Sequence, residues 1–187
     1  MLSRGTGRAV LLCALTAIGL QASAEEITIC YNYGCYARAP VNYGEKDLEP
    51  LHGQLAAAAD ATGEREAIAV VIGRMYAIAG TQTPVWRDRG GNYADGGESG
   101  KMDCIDHSTN TTAFLRLLQA RGWLRFHEVL EPLLRRRFFF ADHWAALIRE
   151  RETKKDYIVD SWYFDNGRPA AVFTLEDWLG GATPNVQ

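Results

Sequence analysis

Apolar positions along the chain follow two periods. From Asp47 to Asp60, Leu48, Leu51, Leu55 and Ala58 recur at helical spacing, and after a break at Thr62-Gly63 the same period runs through Ile68, Val71, Ile72, Met75 and Ile78. These stretches predict helices over Asp47–Asp60 and Glu64–Ala79. A third helix is expected from Cys104 to Arg121, with Phe114, Leu117 and Leu118 on its buried face and Gly122 at its end. Asp103 suits its N-cap and Asp106 the return partner of a capping box. The pattern then turns β-like: Trp123–Leu130, His143–Ile148 and Tyr157–Phe164 read as strands, and Ala170–Phe173 as an edge strand before a short helix over Leu175–Leu179. Pro132 and the run RRRFFF separate the first two strands, and RERETKKD joins the next two as a hairpin. Residues Glu25–Tyr36 read as an extended lead-in. The expected architecture is α+β: N-terminal helices and a central cysteine-bearing helix packed on a small antiparallel sheet.

The stretch from Gly80 to Gly100 lacks either period, and the glycines of its second half argue against any regular element. Loops of that length in a compact domain commonly serve function. This one runs directly into Cys104.

At the start of the chain, Arg4 and Arg8 precede the apolar run Ala9–Leu20, and QASA follows, ending at Ala24. A basic segment, a short apolar run and a small-x-small site are the marks of a secretory signal peptide. Residues 1–24 are therefore expected to be removed, leaving a thiol domain over residues 25–187 in the periplasm or secreted. The apolar run is short for a membrane span, and no later stretch is long enough, so no stable membrane insertion is expected after cleavage. The formal net charge of -3 argues against non-specific nucleic-acid binding, which needs a basic face.

That compartment changes the reading of the cysteines. Of the four, Cys13 leaves with the signal. Cys30 and Cys35 lie in CYNYGC, where Gly34 lets the chain turn back, and they are expected to form a disulfide. Cys104 remains as the odd thiol, at the start of a helix whose positive end favours a thiolate. Asp103 and Asp106 act against that, because like charge raises a thiol pKa. An activating imidazolium is therefore required.

Among four histidines, His143 opens the strand HWAALI, and Asp160 lies on the next strand in YIVDSWYF. Pairing them across a hairpin places the turn near Arg151-Glu152, inside the polar run. A carboxylate beside an imidazole fixes its tautomer and orientation, so Cys104, His143 and Asp160 form the candidate catalytic triad. A shifted turn would bring Asp165 to His143 instead, making it the alternative third member. His107, three residues after Cys104, is the rival base, although nothing obvious orients it. His127 reads as a core or edge-strand histidine and His52 as a surface or capping one.

The segments GKMDCIDHSTNTTAFLRLL, DHWAALIRE and YIVDSWYFDNG resemble the Cys, His and Asp boxes of transglutaminase-like and papain-like cysteine peptidases, including the bacterial transglutaminase-like ones. The resemblance covers roughly Gly100–Gly167. It implies amide hydrolysis without an obligatory cofactor, or acyl transfer to an amine, and the signal segment makes a protein or cell-envelope peptide the expected substrate. It also implies an upstream side chain completing the oxyanion hole, for which Gln82, Trp86 and Asn92 are candidates, and a calcium ion near the cysteine, which would involve Asp103 or Asp106. The competing expectation is a catalytically silent relative whose partner-binding surface uses Tyr31, Tyr33, Tyr36, Tyr43 and RRRFFF. Oligomeric state is open.

Overall fold

The structure is a computed structural model that describes residues 24–91, 93–136 and 142–184. Almost all of the expected signal segment, residue 92 and most of RRRFFF fall outside the described residues. Within them the chain is mixed α+β, with four α-helices and two small antiparallel sheets.

The chain opens with a hairpin. Strands β1 (Glu25–Tyr31) and β2 (Ala37–Tyr43) pair antiparallel, from Glu25 opposite Tyr43 to Tyr31 opposite Ala37. The expected lead-in thus becomes a two-stranded sheet, because Asn32, Tyr33, Gly34 and Cys35 all take left-handed backbone conformations and reverse the chain within five residues. The Cys30–Cys35 disulfide closes that turn, with the two Cα atoms 4.6 Å apart.

Helices α1 (Glu45–Ala56) and α2 (Ala61–Gln82) follow, and Asp60 caps the second by accepting the Gly63 N–H at 2.8 Å. The expected long loop is shorter than its glycines suggested: α2 runs on to Gln82, and a 3₁₀ turn occupies Pro84–Arg87. Helix α3 (Cys104–Ala120) begins and caps as expected, with Asp103 and Asp106 forming a reciprocal capping box. It packs against β1 and a central strand of the second sheet.

That sheet runs β3 (His127–Val129), β5 (His143–Glu150), β6 (Asp156–Asp160) and β7 (Ala171–Thr174), with β4 (Leu133–Arg135) also pairing to β5. Strand β4 was not expected. Helix α4 (Leu175–Gly180) closes the described chain. Strand alternation divides the sheet: Ala146, Ile148 and Val159 join the main core with Ile29, Tyr43, Ile68, Ile72 and Phe114. Ala145, Leu147 and Ile158 face the other way onto Trp178. His143 and Asp160 have the parity of this second set.

A buried polar clip ties the early helices to the sheet. Glu64 on α2 has no solvent exposure and accepts the backbone N–H groups of Arg125 and Phe126, while the His127 ring nitrogen Nδ1 lies 2.7 Å away. Burial works against the charge of Glu64, but His127 and the two N–H groups hold its pKa below the ordinary value. Arg65 completes the clip, 3.2 Å from His127 Nε2 and 2.8 Å from Glu150.

Candidate active site

Cys104 is the first residue of α3, a free and half-buried thiol. His143 opens β5 and Asp160 ends β6. Hydrogen-bonded partners in this hairpin have residue numbers summing to 305, as in Ala146 with Val159. The turn expected near Arg151-Glu152 is a four-residue connection, closed by the Glu150 N–H to the Lys155 carbonyl at 2.8 Å, with Lys154 left-handed. Asp160 is therefore diagonal to His143 rather than opposite it. Diagonal side chains on one face remain within reach, and the His143 Nε2 to Asp160 Oδ2 distance is 2.7 Å.

Asp160 is held from two further directions. Its Oδ2 accepts the Trp178 indole N–H at 3.2 Å and its Oδ1 the Trp162 backbone N–H at 3.2 Å. The imidazole lies among aromatic rings, with centroids at 5.0 Å (Trp162), 5.8 Å (Tyr163) and 5.9 Å (Trp178). Nδ1 is buried and has no hydrogen-bond partner among the described residues. Burial disfavours the imidazolium, yet the Asp160 hydrogen bond and the neighbouring Cys104 outweigh it and raise the His143 pKa from 6.5 to about 9. With Nε2 committed to Asp160, Nδ1 is the nitrogen left for the sulfur.

The other carboxylate and the other histidines are engaged elsewhere. Asp165 does not serve His143. It accepts the Gly90 N–H at 3.1 Å and pairs with Arg89 at 2.6 Å, and these two partners hold its pKa low. His107 is oriented after all, by residues far away in sequence. Its Nε2 lies 3.0 Å from Asp88 and its Nδ1 2.8 Å from Ser161, whose hydroxyl continues to Thr111 and Tyr76. Both ring nitrogens are taken, and Asp88, His107 and Ser161 are all buried, so this Asp–His–Ser arrangement is a structural relay. It joins α3 to the residue after Asp160, and through the Met102 N–H on Asp88 Oδ1 to the approach to Cys104. His52 stacks at the surface on Trp123, and His127 belongs to the Glu64 clip.

The loop ahead of Cys104 is fastened along its length. The Gly91 N–H donates to the Trp162 carbonyl at 2.8 Å, and Gly100 has φ +90 with Pro84 where a Cβ would stand, so only glycine fits there. The expected oxyanion side chains are not gathered at the thiol. Gln82 bonds both the N–H and the carbonyl of Asn42, and Trp86 is exposed with Arg87 over its ring. Asn92 lies outside the described residues. In the same loop Tyr93, which no sequence pattern marks, is near enough for the charges of Cys104 and Asp160 to act on its phenol. Burial raises its phenol pKa, and the charges of Cys104 and Asp160 add to that against Arg135. Its ring packs on Trp162 at 4.8 Å, and most of the side chain is exposed.

Asp103 and Asp106 act as helix caps. Asp103 Oδ1 accepts the Ile105 and Asp106 N–H groups and its Oδ2 that of Gly34; Asp106 Oδ1 accepts from Cys35 and its Oδ2 from Asp103. All four oxygens face backbone donors, so the pair does not fit a calcium ion, which needs six or more oxygen ligands. Nor do the tyrosines proposed for a partner surface form one face: Tyr43 is fully buried with its hydroxyl on the Met75 carbonyl, whereas Tyr36 is almost fully exposed. Among the described residues no helix is long and apolar enough to cross a membrane.

Comparison with protein-family models, with curated proteins and with solved structures gives no match, so the chemistry is read from the site itself.

Proposed function

We propose that this chain is an extracytoplasmic thiol hydrolase that cleaves an amide bond in a protein or cell-envelope peptide. The observation that carries the reading is the His143 ring, with one nitrogen fixed by Asp160 and the other unpartnered and buried beside a free thiol at a helix start. A His143 pKa near 9 keeps the ring an imidazolium at neutral pH, and a cation beside a thiol is the general means by which a cysteine is made nucleophilic. Cys104 sulfur attacks the carbonyl carbon, and the Cys104 backbone N–H with the Tyr93 hydroxyl receives the negative charge on oxygen. His143 gives its proton to the departing amine as the C–N bond breaks, then takes one from the water that hydrolyses the thioester and frees the thiol. Asp160 keeps the ring in orientation throughout. An amine in place of that water would give acyl transfer from the same intermediate.

The order Cys, His, Asp, with the cysteine opening a helix and its partners on adjacent antiparallel strands, supports kinship with transglutaminase-like and papain-like peptidases. The Cys30–Cys35 bond supports an oxidising compartment. The test is the iodoacetamide alkylation rate of Cys104 against pH. Wild type should show an inflection well below the ordinary thiol value of about 8.5, and His143→Ala should move it upward. Coincident curves would remove the ion pair and the reading with it.

A further inference from the structure

The hairpin turn closed by Cys30 and Cys35 is directed at one place. Beyond its own strand, its hydrogen bonds land on the helix that carries Cys104 or on the approach to it. Asn110 of α3 holds Cys30 from both sides, accepting its N–H at 2.7 Å and donating to its carbonyl at 2.8 Å. The Gly34 N–H reaches Asp103 at 3.0 Å and the Cys35 N–H reaches Asp106 at 2.6 Å. The Asn32 N–H donates to the Lys101 carbonyl at 2.7 Å and its side chain accepts the Gly100 N–H at 2.8 Å, while the Tyr33 hydroxyl bonds Asp95 at 2.6 Å. Residues 95 to 106 are thus strapped to the turn on both sides of the thiol.

The turn is an unfavourable shape for a free chain. Asn32, Tyr33 and Cys35 are non-glycine residues with φ of 67, 61 and 57, a region L side chains disfavour. The covalent bond holds them there and keeps two backbone donors on the carboxylates that flank Cys104. Asp106 matters most. It is fully buried, and its two oxygens accept the N–H groups of Cys35 and Asp103. Without the Cys35 donor, a buried carboxylate two residues from the thiol loses a close partner, and the cap that fixes the start of α3 loosens.

We propose that the Cys30–Cys35 bond is a redox-modifiable site governing Cys104: oxidised, it seats the thiol against His143; reduced, it releases the start of α3 and lowers thiol reactivity. The reductant is a dithiol. Its thiolate attacks Cys35 sulfur, the more exposed of the two, and Cys30 leaves as thiolate. The second thiol of the reductant then displaces Cys35, giving a cyclic disulfide and two protein thiols. The site reading above supplies the role of Cys104, and on it the device keeps the enzyme quiet in a reducing compartment.

The test compares exported protein, untreated or treated with dithiothreitol and desalted, and a Cys30→Ser/Cys35→Ser variant. Iodoacetamide labelling at neutral pH is resolved by peptide mass for each cysteine, and hydrogen exchange is followed in parallel. Opening the bond should slow Cys104 labelling about tenfold, the equivalent of one unit of thiol pKa. It should also deprotect residues 32–36 and 95–106 while α2 stays protected. Asn32→Ala keeps the bond but loses the Gly100 contact, and should give a smaller change of the same sign. Unchanged Cys104 labelling with the bond open overturns the proposal, as does loss of protection throughout α2, which would make the bond a support of the whole fold. Failure of the site reading looks different: labelling in the oxidised protein would then be indifferent to His143→Ala.

Discussion

Two regions of this molecule contain nearly the same pair of side chains. At the site, His143 lies 2.7 Å from Asp160; at the base of the sheet, His127 lies 2.7 Å from Glu64. Both pairs are buried, and both carboxylates accept further N–H groups. The difference is at the second ring nitrogen. In His127 it meets Arg65 at 3.2 Å, and in the relay histidine His107 it meets Ser161. In His143 it has no hydrogen-bond partner among the described residues and a thiol nearby. A carboxylate orients a histidine in either role, and the unoccupied nitrogen is what makes one available for proton transfer.

The comparison can be broken by mutation. His143→Ala should lower hydrolysis of p-nitrophenyl acetate on the order of 10³-fold or more, and Asp160→Asn nearly as much by freeing the ring. Equal activity in both variants and wild type would reduce His143 to another structural histidine. Tyr93→Phe removes one oxyanion donor and should cost about 10- to 100-fold in kcat, less than a rigid backbone donor because the side chain is mostly exposed. At the other region His127→Gln should leave the kcat of folded protein unchanged. It should lower stability in urea by about 3 kcal/mol, because the buried Glu64 charge loses its closest partner.

The two pairs also differ in the sign of their pH dependence. His143 has a raised pKa, so its contribution to stability is complete below the unfolded value of about 6.5 and is lost as pH rises through about 9. Glu64 has a lowered pKa, so its contribution is present above the ordinary carboxylate value and is lost as pH falls through the depressed one. Urea titrations of His143→Ala and His127→Gln across pH should therefore flatten opposite limbs of the wild-type stability profile. Flattening of the same limb by both would mean that one pair is misread.

Much of this was legible in the chain. Helical spacing located α1, α2 and α3, and the Asp103–Asp106 box marked the first turn of α3, because these are local effects within a few residues. The hairpin logic brought Asp160 to His143 even with the register displaced, since a diagonal neighbour on the same face serves as well as a direct one. What escaped was non-local. The orientation of His107 comes from Asp88 and Ser161, 19 and 54 positions away. Tyr93 lies in a glycine-rich stretch that has no period to read. The β1–β2 hairpin was missed because its turn uses left-handed asparagine, tyrosine and cysteine rather than a familiar glycine pair.

The Glu64 clip has a consequence for the order in which the chain acquires its structure. Its carboxylate sits on α2, while the N–H donors at Arg125 and Phe126 lie 61 and 62 positions further on. A chain emerging from its amino end, from a ribosome or across a membrane, completes α2 long before those donors exist. Until they arrive, the carboxylate must stay in water, and the apolar face beside it cannot close. The early helices therefore have no finished state of their own. Contacts of such long sequence separation make folding slow.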